Sequence, residues 1–227
     1  NNTMLRGALF VIDGTDGSGK KTQTQLLTER LKQEGYDVMS ISFPAYGEAS
    51  AAMVEAYLNG DFGTNAEDIN PFVASSFYAV DRFAHSHIIK QALSEGKIII
   101  ADRYVASNLA HQGGKFINTD ERKAFIEWQY DFEHNKARLP KPTLNIILHV
   151  PTDVSMKLVT DRGNKKDLHE KDEHHLRRAE ETYDEIVNAG YPEPAIYPLD
   201  MQGATAQDYA NLANNIREQL GRLDGVV

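Results

Sequence analysis

Gly14, Thr15, Asp16, Gly17, Ser18, Gly19 and Lys20 spell G-x-x-x-x-G-K, a pattern built to hold polyphosphate. Glycines let the backbone curl so that successive N–H groups, the N-terminus of the next helix and the Lys20 ammonium converge on the same oxygens. The flanks fit. Leu9 to Ile12 is an apolar run that reads as a strand, and Gln23 to Leu31 continues as an amphipathic helix carrying Leu26, Leu27 and Leu31. One position departs from the pattern: where a Ser or Thr reaches Mg²⁺, this chain has Lys21, and the hydroxyl follows at Thr22. The loop predicts a nucleotide phosphate site and leaves the metal ligands less defined.

Other residues with chemical potential cluster after apolar runs. Asp102-Arg103-Tyr104 follows Ile98-Ile99-Ile100-Ala101, and in an open parallel sheet ligands gather at the carboxyl ends of strands. Arg103 is therefore expected to clamp a second phosphate, with a structural Asp–Arg pair as the alternative. Tyr78 and Arg82 stand four apart on one helix face, beside Asp81. With Phe43-Pro44-Ala45-Tyr46 just past another strand, they suit a planar base. Taken alone, the Tyr78–Arg82 pair also fits a surface contact.

Two motif matches fail on context. Asn164-Lys165-Lys166-Asp167 spells N-K-x-D and Asp200-Met201-Gln202-Gly203 spells D-x-x-G, the signatures of a GTP-binding switch. N-K-x-D should follow an apolar strand, whereas here it follows the helical segment Val154 to Arg162, and the two motifs come in reversed order. His169-Glu170 with His174 and His175 hints at a metalloprotease helix. The second histidine falls five residues after the first, so the i,i+4 face for joint zinc ligation is missing.

Elements to position these residues are readable from periodicity. Strands are expected at Ala8 to Ile12, Val38 to Phe43, Lys97 to Ala101, Leu144 to Val150 and Ile196 to Leu199, alternating with helical patterns, which means an α/β fold with a parallel sheet covered on both faces. Asn70-Pro71 opens one long helix, an N-cap followed by proline at the first helical position, and Gly96 closes it. Pro140-Lys141-Pro142 marks the turn before the fourth strand. The 227 residues are expected to form one domain. Arg162 to Asp172 is dense in charge and poor in apolar residues, which fits either a solvated loop or a mobile lid whose cations close over phosphates; the upstream phosphate loop favours the lid.

Composition narrows the function. The chain has no cysteine, which removes disulfides and thiolate zinc sites. A net charge of -9 disfavours a nucleic-acid surface and points to a mononucleotide in a small basic pocket. No apolar run approaches a membrane span, and Asn1 to Arg6 lacks a signal-peptide core, so a cytoplasmic location is the expectation.

In their order along the chain, Asp13-Gly14 through Thr22, Phe43-Pro44-x-Tyr46, Tyr78-x-x-Asp81-Arg82, Asp102-Arg103-Tyr104 with Ser107-Asn108, Leu139-Pro140-Lys141-Pro142 and the charged lid closely resemble the thymidylate kinase family. That resemblance spans nearly the whole chain. It implies a P-loop five-stranded parallel sheet, a homodimer, and transfer of the ATP γ-phosphate to dTMP with Mg²⁺ as cofactor. It further implies that Tyr78 stacks on thymine, Arg82 and Asn108 hydrogen-bond the base, Phe43 packs behind it, and Arg103 grips the dTMP phosphate. Tyr46 would touch that phosphate, with Tyr104, His111 and Gln112 completing the pocket. Asp16 would link acceptor, sugar hydroxyl and metal, with Glu170 as a second metal-side carboxylate. Family members keep a catalytic arginine either in the P-loop or in the lid. Gly17 follows Asp16 here, so the lid type is implied, with Arg162 as the arginine and Lys165 and Lys166 as helpers. His111 replaces a tyrosine often found near the sugar, and His169 replaces a lid aromatic. Another P-loop nucleoside or nucleotide kinase is the main alternative.

Overall fold

A strand flanked on both sides by neighbours and on both faces by helices has no solvent-facing side, so it reads as a continuous apolar run. Such a run is β1 (Ala8–Gly14), buried along its whole length at the centre of the sheet in this computed structural model. With β2 (Val38–Ser42), β3 (Ile98–Asp102), β4 (Leu144–His149) and β5 (Ile196–Asp200) it forms a five-stranded sheet in the order β2-β3-β1-β4-β5, every pair parallel. All five expected strands are present. The structure describes residues 7–190, 196–203 and 205–224; the segment Asn1 to Arg6, read above for a leader, lies outside them.

Helices cover both faces. Leu9 and Val11 point into one core with Ile99, Leu109 and Phe125, while Phe10 and Ile12 point into the other with Leu31, Ile146, Ile216 and Leu220. The period-2 alternation of a strand thus feeds two cores from one segment. α1 (Lys20–Gln33) follows the glycine loop directly, and α2 (Ala52–Leu58) lies beyond β2. α3 (Pro71–Ser94) is the long helix expected, capped by Asn70, whose side chain accepts from the N–H groups of Phe72 and Val73. α4 (Val105–Gly113) leaves β3, and α5 (Thr119–Tyr130) runs into a π-helical segment, Asp131–Lys136. α6 (Thr152–Asp161), α7 (Glu173–Ala189) and α8 (Ala206–Asp224) are the remaining helices among the described residues. Among the described residues no helix is long and apolar enough to cross a membrane.

Register aligns the strand ends. Ile12 pairs with Asp102 and the Arg103 N–H donates to the Ile12 carbonyl at 2.9 Å, so the loop after β1 and the segment after β3 open onto one edge of the sheet. A single buried side chain locks that edge. The Asp13 carboxylate accepts from the N–H groups of Gly14 (2.8 Å), Tyr104 (3.1 Å) and Ser107 (3.0 Å) and from the hydroxyls of Ser107 (2.6 Å) and Tyr183 (2.6 Å). It thereby ties β1 to α4 and α7.

Replacing Asp13 by Ala leaves buried donors on two helices and the loop without an acceptor, at about 1–3 kcal/mol each before relaxation. Denaturant unfolding should show a loss of at least about 3 kcal/mol for Asp13→Ala, and a smaller loss for Asp13→Asn, which keeps one acceptor. A loss below about 1 kcal/mol for the alanine variant would mean that water serves these donors.

Candidate active site

Two glycines in the loop are required by space as well as conformation. Gly14 has φ +138°, and a Cβ there would lie 2.3 Å from the Leu148 carbonyl oxygen; Gly17 has φ +74° and would meet the Ser155 carbonyl oxygen at 2.8 Å. The loop is further pinned by Ser155 Oγ, which donates to the Asp16 carbonyl. Lys20 is folded back over it, with Nζ donating to the Thr15 carbonyl at 2.7 Å and to Ser18 Oγ at 3.3 Å. Burial, with Arg103 adding to it, lowers the Lys20 ammonium to about 8. Lys21 and Thr22 are exposed on the first turn of α1.

Asp16 and Arg103 form an ion pair across the two loops, and Arg103 Nη1 also donates to Ser107 Oγ at 3.3 Å. Burial works to raise the Asp16 carboxyl, but Arg103 and Lys20 outweigh it and hold the group well below the usual carboxylate range. Arg103 sits at φ +66°, the left-handed region that a non-glycine residue adopts at a cost. The surroundings hold it there, because its N–H bonds Ile12 and the next residue's N–H bonds Asp13.

Beside this pair lies a cavity of about 60 Å³. Asp16 and Arg103 line it, Phe43, Tyr46 and Tyr78 supply aromatic surface, and Arg82, Tyr104, Asn108 and His111 close it from α3 and α4. The arrangement joins a polyphosphate loop, through an ion pair, to a pocket with an aromatic wall. Such a site has room for one phosphate-bearing group on the loop and an aromatic wall beside it against which a planar ring could lie.

Comparison with known proteins agrees. The profile of the thymidylate kinase family matches residues 12–194. The chain belongs to the thymidylate kinase family. The thymidylate kinase of Mycobacterium tuberculosis is 29% identical over 189 residues, covering 81% of this chain and 87% of that protein. The thymidylate kinase of Brachyspira hyodysenteriae is 26% identical over 215 residues, covering 94% and 95%. A solved thymidylate kinase structure from Candida albicans shares the fold with a TM-score of 0.70 at 23% identity, covering 96% of this chain and 94% of that one. Family membership makes this chain an ATP-dependent kinase that converts dTMP to dTDP.

Within that thymidylate kinase framework the structure refines several residues. Arg82 lines the pocket but is not a surface group: only 2% exposed, it donates through Nε and Nη2 to the two Glu133 oxygens at 2.6 and 2.9 Å. Glu133, which sequence reasoning missed, comes from the π-helical segment and is itself bonded by Gln129. Most of the guanidinium fork is thus committed to holding Arg82 in place. Asn108 spends its Nδ2 on the Ser75 carbonyl at 3.1 Å. Tyr104 is fully buried with its hydroxyl donating to the Pro140 carbonyl at 2.8 Å, so it shapes the wall without a free polar end. Gln112 does not line the pocket. It lies behind the wall, donating to Tyr57 Oη at 3.3 Å, because the helical turn of α4 points it away from His111's side.

The charged segment after α6 is docked and not simply solvated. Leu168 packs against Val54, Tyr57 and Leu58, its N–H donates to the Leu58 carbonyl at 2.8 Å, and His169 Nε2 lies 2.6 Å from Tyr57 Oη. Arg162 pairs with Glu170, while Lys165 and Lys166 do not line the pocket. Asn164 to Asp167 follows helix α6 and no strand, consistent with rejecting the GTP-switch reading.

Asp167 faces the pocket, where burial and then the nearby Asp16 raise its carboxyl to about 7. Its docked form therefore prefers the protonated state. Docking is strongest below the ordinary range of an aspartic carboxyl and weakens as pH rises through about 7. Amide exchange over residues 162–172, corrected for intrinsic rates, should show protection falling from pH 5 to 7 in the wild type and staying level in Asp167→Asn. An identical pH profile in both proteins would show that Asp167 does not govern docking.

Proposed function

We propose that ATP lies on the P-loop and dTMP in the adjoining pocket, and that the γ-phosphoryl group passes between them over the Asp16–Arg103 pair. The observation that supports this is the pair itself, which spans from the phosphate loop to the pocket. Gly14 to Lys20 would cradle the ATP phosphates, with Lys20 released from Thr15 to reach them. Arg103 would hold the dTMP phosphate, Tyr78 would stack on thymine, and Arg82, held by Glu133, would present its remaining N–H groups to the base edge. Tyr46, 61% exposed at the pocket mouth, would reach the acceptor phosphate. The acceptor phosphate is already an anionic nucleophile, so no general base is needed and catalysis rests on alignment and positive charge.

The donor set fits Mg²⁺, a hard cation that takes oxygen ligands: Asp16 is held ionised, and Glu170 supplies a second carboxylate in the docked lid. When bound, Mg²⁺ supplies neutralisation of phosphate charge. Lys21, standing where a hydroxyl ligand is usual, leaves Asp16 as the principal protein ligand on this reading.

Arg162 is the proposed transition-state cation of a lid-type enzyme. It now pairs with Glu170 at a half-exposed position and would exchange that partner for the transferring group. Arg162→Ala should lower kcat by on the order of 10³-fold while the KM for dTMP changes only a few-fold. If kcat holds and only the KM for ATP rises, Arg162 is a ground-state contact and Lys165 or Lys166 takes the role.

The outer face of α3 supports a homodimer. Val73, Val80 and Phe83 are exposed along one face, next to a 240 Å³ apolar groove walled by Ala79, Phe132, Ala137 and Leu139. A two-fold axis near α3 would lay this stripe on its own copy. Light scattering should give twice the 25.4 kDa chain mass for the wild type and a monomer for Phe83→Glu; a monomeric wild type would refute the dimer.

A further inference from the structure

We propose that His111, His169 and His175 form a binding site for a zinc-class divalent cation, distinct from the Mg²⁺ that accompanies ATP and bridging the lid to α4 and α7. Local spacing rules out a helical zinc motif among these residues, but the fold gathers them from three elements. His111 comes from α4, His169 from the lid and His175 from the first turn of α7. All three are buried, and one nitrogen from each lies within 4.8 Å of the others.

The geometry goes beyond proximity. His111 Nδ1 and His175 Nε2 are 3.1 Å apart, close to the separation of about 3.3 Å between two nitrogens bound to a tetrahedral zinc at about 2.0 Å. A cation can therefore replace the proton these rings share with little movement of either helix. The His169 ring stacks on its neighbours at centroid distances of 4.1 and 5.1 Å, so this lid side chain must turn out of the stack to ligate. Tyr57 Oη, 2.6 Å from His169 Nε2, supplies the outer partner that metal-bound histidines characteristically have.

One further property favours ligation. Burial also keeps the rings neutral, the form that ligates, with His111 lowered to about 4. The surrounding charge is mixed: Asp16 and Asp13 favour a cation, whereas Arg103 and Lys115 oppose one. Lys115, hydrogen-bonded to Tyr57 at 3.1 Å, is itself lowered to about 7 by burial, so its opposition is partial near neutral pH.

Imidazole donors select zinc, copper or nickel over magnesium, and three protein ligands leave a fourth position for water or a substrate oxygen. His111 and His169 also line the acceptor pocket, so the cation would sit at its wall and hold the lid docked. This inference stands independently of the phosphoryl-transfer roles assigned above.

The test uses the untagged full chain, stripped with a chelator, loaded with Zn²⁺ in the presence of excess Mg²⁺, and passed through gel filtration before elemental analysis. About one zinc per chain should be retained by the wild type, and at least ~10-fold less by His175→Ala and His111→Gln, with circular dichroism confirming that both are folded. Co²⁺ loading should give the intense visible bands of a four-coordinate site in the wild type alone. Retention below about 0.1 zinc per chain in the wild type, or equal retention by the folded variants, would overturn the proposal. The wild-type stoichiometry decides the question even if a variant fails to fold.

Discussion

A carboxylate buried at the end of the central strand organises everything that acts in this molecule. Asp13 stands where β1 leaves the sheet, and its oxygens are saturated by groups from the loop, α4 and α7. Burying a charge is tolerable only when its hydrogen-bonding capacity is met, so each donor must be held in place for the fold to be stable at all. That requirement fixes Tyr104 and Ser107, and through them the backbone of Arg103 in its left-handed conformation. The phosphate loop and the adjoining pocket are thus aligned by the same constraint that stabilises the core.

On that frame sits a second layer of charge that is prepared for a ligand. The chain carries a net charge of -9, yet Lys20 and Arg103 meet at one edge of the sheet with Asp16 between them. Their positive charge is directed at the protein's own atoms: Lys20 at the Thr15 carbonyl, Arg103 at Asp16, Arg162 at Glu170. These internal partners keep the cations oriented, which reduces the reorganisation a phosphate would require on binding. On the proposed reading these partners compete with the substrate, which would make Asp16 and Glu170 as much a part of the site as the cations.

Much of this was legible in the sequence, for identifiable reasons. The five strands and the capped helix Pro71–Ser94 are set by local signals, continuous apolar runs and an Asn-Pro start. The P-loop glycines announce themselves because only glycine tolerates Gly14's φ of +138° and the approach of the Leu148 carbonyl. Contacts made over long separations were not legible. Glu133 reaches Arg82 across 51 positions from a π-helical turn, and Tyr183 reaches Asp13 across 170. Leu168 anchors the lid from within a run whose composition suggests solvent. The histidines of α4, the lid and α7 meet only in the folded chain, whereas helix spacing examines one element at a time.

On the proposed reading, the pocket joined to the P-loop by Asp16 and Arg103 accepts dTMP as the phosphate acceptor. Initial rates of ADP formation with ATP and a panel of dTMP, dUMP, dCMP, dGMP and the ribose form of TMP measure this most directly. dTMP should have the highest kcat/KM and dCMP should fall well below it, because on the proposed reading the base would contact Tyr78 and a fixed Arg82 whose groups only donate. Equal or greater kcat/KM with dCMP or dGMP would contradict it.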